Sequence, residues 1–207
     1  FDKKLVNDSA LARFIKPRVE ETLGRKVSLG AVTAAVRRFI LSYRPEKNVP
    51  NLIRFLKSSK LFLREGLIEA HFKRTEKTAD NIAHLAKKIK WEHGEKLYVL
   101  QRSDEISVIA NENHLQEILE CAPKTDLLAQ HSDRAVITII RDPSSVEDTY
   151  GAIAFFTNQF AALGVTIHLV FSTYSATSFV IKQKDLPKIY KKLSDSIKEL
   201  HESYPEI

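Results

Sequence analysis

Leu29, Val32, Val36, Phe39 and Ile40 recur three and four residues apart. That spacing lines them along one face of a helix, and Ser28 just ahead offers a hydroxyl cap worth about 1 kcal/mol. The helix is predicted over residues 28–42. Upstream, Ser9 marks the start of a short helix over 10–15, and Pro17 suits the first turn of a second helix ending at Leu23, where Gly24 stops it. Lys16 is the expected joint. Pro45 and Pro50 interrupt the pattern over 43–50, after which Leu52, Ile53, Phe55 and Leu56 predict one more short helix over 51–58. Residues 43–59 read as a linker.

Beyond Leu61 the period changes. Residues 67–74 read as a strand, residues 78–89 carry Ile82, Leu85, Ala86 and Ile89 on one helical face, and 96–100 read as a second strand. After a tight turn at Ser103 and Asp104 come a strand over 105–110, a helix over 112–119 and a strand over 125–130. This order, β-α-β-β-α-β, is the split βαβ or ferredoxin-like unit. It then begins again: strand 135–140, helix 145–163, strands 165–173 and 178–182, helix 186–200. Residues 201–207 read poorly as a strand, so the closing strand of the second copy is supplied elsewhere or missing. The predicted class is therefore α+β, with a small helical domain over 1–59 followed by two ferredoxin-like βαββαβ modules over 60–132 and 133–207.

A chain of 207 residues is long enough for one large or two to three small domains, each with its own core. Its longest apolar runs, such as residues 135–140, are far too short to cross a bilayer. The single cysteine, Cys121, cannot form an internal disulfide, which makes a reducing cytoplasm the expected compartment. The net charge of +6 is unevenly placed: residues 1–59 hold 13 Lys/Arg against 5 Asp/Glu, and the remainder 19 against 21. Positive charge confined to a small helical domain suits phosphate backbones or another anionic surface, and a solvated basic face is the plainer reading of the same charges.

Candidate chemistry is sparse. The seven histidines, at positions 71, 84, 93, 114, 131, 168 and 201, show no metal-ligand spacing. No Gly-rich phosphate loop or nucleophile elbow is present, and adjacent Asp104 and Glu105 would point apart in a strand-like turn. The chain is expected to be non-catalytic, without cofactor or metal. The loop Arg141-Asp-Pro-Ser-Ser is the exception: Ser144 and Ser145 precede a predicted helix whose free N–H groups attract a carboxylate, although a plain helix cap explains the serines equally well. Ser172, Thr173 and Ser175 either close a turn or meet a ligand.

The stretches Gly151-Ala-Ile-Ala-Phe-Phe, Leu163-Gly-Val-Thr-Ile-His, Phe171-Ser-Thr-Tyr-Ser-Ala-Thr-Ser-Phe-Val-Ile and Lys184-Asp-Leu together resemble an ACT domain of the aspartate-kinase type. The resemblance covers residues 134–200, and reaches 67–130 through the order of elements alone. It implies a regulatory module that binds an amino acid where modules pair, through the loop after its first strand and the start of its second. On this chain those positions are Asp142, Ser144, Ser145, Gly151, Thr166 and Ile167. The loop lacks the glycine that many ligand-binding members carry at its turn. No counterpart of the kinase region is present. The N-terminal segment resembles, more weakly, a helix-turn-helix: helix 17–23, turn 24–27 and helix 28–40. That resemblance implies contacts with DNA from Arg25, Lys26, Ser28, Thr33, Arg37 and Arg38. The function expected is an amino-acid-sensing transcriptional regulator, assembled as a homodimer or higher oligomer and remote from membranes. The alternative is a regulatory subunit that binds no DNA and controls an enzyme of amino-acid metabolism by protein contact.

Overall fold

The computed structural model describes residues 8–42, 49–141 and 149–207. The chain divides into two units, Phe1–Val49 and Pro50–Ile207. The division falls ten residues earlier than the linker reading placed it, because Phe55 and Leu56 of the short helix are buried in a core of the second unit.

The first unit pairs α1 (Asp8–Leu23) with α2 (Leu29–Ser42). Where the proline rule predicted two short helices, α1 runs unbroken through Lys16 and Pro17. Pro17 forfeits one backbone hydrogen bond, yet its fixed φ is helical. One continuous apolar face holds the helix together: Ala12, Val32 and Val36 are buried, with Leu11, Ile15 and Val27 packed around them. The turn closes through Gly24, at φ +61°, and through Glu20, whose Oε1 accepts the Val27 N–H at 2.9 Å. Ser28 caps α2 as expected, accepting from the Ala31 N–H at 3.2 Å.

The second unit begins with α3 (Val49–Ser58) and contains β1 (Lys60–Lys73), α4 (Glu76–Ala86), β2 (Leu97–Gln101), β3 (Glu105–Asn111), α5 (Leu115–Leu119), β4 (Leu127–Ile140), α6 (Ala152–Ala162), β5 (Leu169–Ser172), β6 (Ala176–Lys182) and α7 (Leu186–Ser203). The six strands make one antiparallel sheet in the order β2-β3-β1-β4-β6-β5. Its two halves repeat one another. β1 and β4 are both 14 residues long, α4 and α6 both 11, β3 and β6 both 7.

Two strand predictions are corrected. The strand predicted from Leu67 starts at Lys60, and the segments read as strands over 125–130 and 135–140 are one strand, so the expected boundary at 132/133 lies inside β4. Each long strand serves both modules. The far part of β1 pairs with β3 over Leu67–Lys73, while its first part, from Lys60 to Arg64, pairs with the end of β4. The closing strand of the second module thus lies ahead of the whole first module. Residues 201–207 supply none; α7 runs on to Ser203.

A bulge lets one strand serve two cores. Between Arg64↔Val136 and Leu67↔Arg134, β1 carries an extra residue, with Gly66 at φ +66° and its N–H donated to Gln183 Oε1 at 3.0 Å. One extra residue reverses which positions face the helices. Leu61 therefore packs with Ile137, Ile139, Phe156, Phe160 and Phe179 in the second module's core, whereas Ile68, Ala70 and Phe72 pack with Ile82, Leu85 and Ile118 in the first. On the helix-free face Leu67, Ile109, Val136 and Val180 are also buried. The outermost strands come together there: the rings of Tyr98 on β2 and Phe171 on β5 lie 4.9 Å apart, so the sheet curls round onto itself.

Candidate functional site

Asp142, Ser144 and Ser145, the loop part of the predicted ligand site, lie outside the described residues. Gly151 stands at the start of α6 with φ +86°, and its carbonyl accepts the Phe155 N–H at 2.8 Å. A side chain there would meet Leu52, whose Cδ2 lies 3.6 Å from the place of a Cβ. Thr166 is exposed beyond the other end of α6, and Ile167 is half-buried against the second module's core. An 11-residue helix is about 16 Å long. Gly151 and Thr166 therefore sit at opposite ends of α6 and are not brought together within one module. Beside the loop, Arg141 is anchored: its Nε donates to the Tyr174 carbonyl at 2.8 Å and its backbone N–H to that of Ser175 at 2.9 Å.

The six N-terminal positions fall into two groups. Ser28 spends its hydroxyl on the α2 cap, the Thr33 hydroxyl donates back to the Leu29 carbonyl at 2.8 Å, and Arg37 Nε pairs with Asp8 Oδ2 at 3.0 Å. Arg25, Lys26 and Arg38 are exposed and form no ion pair among the described residues. The outward face of α2 also presents the small residues Gly30, Ala31, Ala34 and Ala35, together with Phe39, which is 67% exposed.

What the sequence reading missed is an ionic cluster on the helix-free face of the sheet. Glu69 and Arg134, each 2% exposed, pair at 2.5 Å through Oε2 and Nε. The other Glu69 oxygen meets His71 Nε2 at 3.1 Å, and His71 Nδ1 lies 3.1 Å from Glu105 Oε1 and 2.9 Å from Ser107 Oγ. His131 faces His71 edge-on, with ring centroids 6.5 Å apart. Burial alone would raise the Glu69 pKa, but hydrogen bonds from His71 and Arg134 outweigh it and hold the group at about 2. The hydrogen bond to Glu69 raises His71 in turn. His168, just ahead of β5, has a buried Nε2 with no hydrogen-bond partner among the described residues. Burial, then the charge of Arg134, lowers its pKa. The local signal was Glu69 and His71 two apart in an otherwise apolar strand, which puts both on one face. Arg134 and His168 could be added only by strand pairing.

A separate set of side chains ties down the approach to β2. Glu95 accepts from the Lys90 N–H at 2.8 Å and from Asn113 at 3.2 Å, and His114 bridges Glu95 at 2.9 Å and Glu117 at 2.5 Å. Cys121 is buried, and burial raises its thiol pKa, in keeping with an inert side chain. Among the described residues no group of three His, Cys, Asp or Glu side chains could hold a metal ion, and no helix is long and apolar enough to cross a membrane.

No family model matches the sequence, and no curated protein sequence matches it. Solved structures do match in fold. The regulatory subunit of aspartate kinase from Thermus thermophilus, in a ligand-free form, superposes with a TM-score of 0.51 at 14% identity over 65% of this chain and 94% of that one. Aspartate kinase from Clostridium acetobutylicum, described as an allosteric enzyme, gives 0.54 at 10% identity over 66% of this chain and 34% of the enzyme. Aspartate kinase from Synechocystis gives 0.55 at 13% identity, over 69% of this chain and 27% of the enzyme. The chain thus spans about a third or less of those two enzymes and nearly all of the separate regulatory subunit. The mixed α+β fold with its curled antiparallel sheet is similar to that of ACT-type regulatory domains.

Proposed function

We propose that this chain is a non-catalytic, ligand-responsive regulatory protein whose paired ACT-type modules sense an amino acid and control an enzyme of amino-acid metabolism by protein contact. The observation that carries this reading is the fusion of two such modules through the shared strands β1 and β4, matched in extent by a free-standing regulatory subunit. A ligand at the loop residues Asp142, Ser144 and Ser145, at Gly151, and at Thr166 and Ile167 of an adjoining module would favour one arrangement of modules over another. Coupling to a partner enzyme then follows from that difference in affinity. Pairing between chains completes the site, since Gly151 and Thr166 of one module are a helix length apart, and it makes the working form a dimer or higher oligomer.

A screen of the amino acids by thermal denaturation tests the proposal. An amino acid at a hundredfold excess over its dissociation constant stabilises the fold by about 2.7 kcal/mol. Replacing Thr166 by Trp abolishes that gain and leaves the unliganded protein folded. A screen in which no amino acid shifts the transition refutes the sensing role.

A second reading, regulation of transcription through DNA, is supported by one observation: Arg25 and Lys26 at the turn ahead of α2 and Arg38 on it stand exposed and form no ion pair among the described residues. Removing Arg25 or Lys26 lowers the slope of log affinity against log salt by about 1. Removing Arg37, already paired with Asp8, changes it less. Absence of salt-dependent binding to duplex DNA at low ionic strength eliminates this reading and leaves the first.

A further inference from the structure

Three of the seven histidines, unconnected in sequence, are linked across the sheet: His71 on β1 and His131 on β4 face one another edge-on, and His168 at the entry to β5 lies within reach of the charges of His131 and Glu69. Their surroundings differ. His71 is braced by Glu69, Glu105 and Ser107, so a proton there completes its hydrogen bonds. His131 is exposed. His168 is held in place by its backbone, whose N–H donates to the Val180 carbonyl at 2.8 Å, while its Nε2 is buried and has no partner among the described residues. The charged and titratable groups acting on it come from every neighbouring strand: Arg134 and His131 on β4, Glu69 on β1 and Lys182 on β6. Glu69 is the one acid among them, and both of its oxygens are engaged by Arg134 and His71. A proton on His168 would therefore stand buried beside Arg134 with no acceptor of its own, a costly arrangement.

The element that can yield is β5. It has four residues, is an outer strand paired only with β6, and closes the curl through the contact of Phe171 with Tyr98. We infer that His168 is a proton-operated latch on the sheet: protonation of its ring releases β5 and opens the helix-free face at the Tyr98–Phe171 contact. This holds whether or not the chain binds an amino acid. It gives a regulatory protein of this fold a second input, through the strand that flanks Thr166 and Ile167.

The size of the effect follows from linkage. With the pKa of His168 lowered in the closed state and near the ordinary 6.5 in the open one, opening becomes more favourable at pH 5.5 than at pH 7.5, by at most about tenfold. Hydrogen exchange of the full chain, read by mass spectrometry and corrected for intrinsic rates, should show residues 169–172 losing protection, by up to about tenfold, across that range while 105–111 stay constant. The same peptide in His168→Leu should be insensitive to pH. Ring resonances of Tyr98 and Phe171 in the unsubstituted protein keep the idea testable if that variant does not fold: they should titrate with the His168 ring. Equal protection of 169–172 at both pH values, an unchanged pH response in a folded His168→Leu, or ring shifts that follow His71 or His131 instead would each overturn the latch.

Discussion

Replacing Arg134 by Met should cost the second unit about 3 to 5 kcal/mol, the range for removing one partner of a buried ion pair. Both side chains of the Glu69–Arg134 pair are 2% exposed, and the substitution keeps most of the volume while deleting the guanidinium. Glu69 would then stay buried with His71, 3.1 Å away, as its one remaining partner, whereas Asp133, 58% exposed, returns to water at little cost. The lowering of Glu69 from 4.5 to about 2, net of the burial that opposes it, corresponds to about 3 kcal/mol from His71 and Arg134 together, so the lower end of the range is expected. Because the folded-state pKa is depressed, this stability is fully present above pH 4.5 and is lost as the pH falls toward 2. Urea denaturation at pH 7 followed by circular dichroism measures the loss, and the melting temperature should fall by about 6–12 °C. The gap between the two proteins should narrow below pH 4. Substituting both partners, Glu69→Leu with Arg134→Met, leaves no uncompensated charge and should recover most of the loss. A single variant within about 1 kcal/mol of the parent, or a double variant no better than the single, would refute the assignment of a buried, mutually dependent pair.

Two further substitutions probe the architecture. Leu61→Asp places a charge against the second module's core from a residue that precedes the whole first module; it should cost about 2–4 kcal/mol, and hydrogen exchange should show β6 and α7 losing protection before β3 and α4. Gly151→Ala forces a side chain into a left-handed conformation at the start of α6 and should cost about 1–2 kcal/mol by thermal denaturation, with Gly151→Val costing more because a β-branched side chain is still less compatible with that backbone.

Much of this fold was legible from periodicity alone. Helical spacing at Leu29, Val32 and Val36 predicted α2, and alternation after Leu61 predicted two copies of a β-α-β-β-α-β order, because the side of an element that faces a core is written locally in the spacing of apolar residues. Pro17 shows the limit of the local rule: it signals a helix start, yet packing of Leu11, Ala12 and Ile15 against α2 carries one helix through it. The ends of β1 and β4 were illegible for a related reason. Residues 60–66 and 131–134 are mostly exposed and lack a clear alternation, and they become strand only because β1 and β4 pair along their length, the first stretch against 136–140 and the second against 67–69. The ionic cluster was still further from view. Glu69, Arg134 and His168 each look like an isolated polar residue in sequence, and a bulge at Gly66 together with the register of Leu67 against Arg134 brings them to one face. Local spacing decides which side of a strand is apolar, but the identity of a buried charge's partner depends on pairing between strands more than sixty residues apart, and that only the tertiary structure decided.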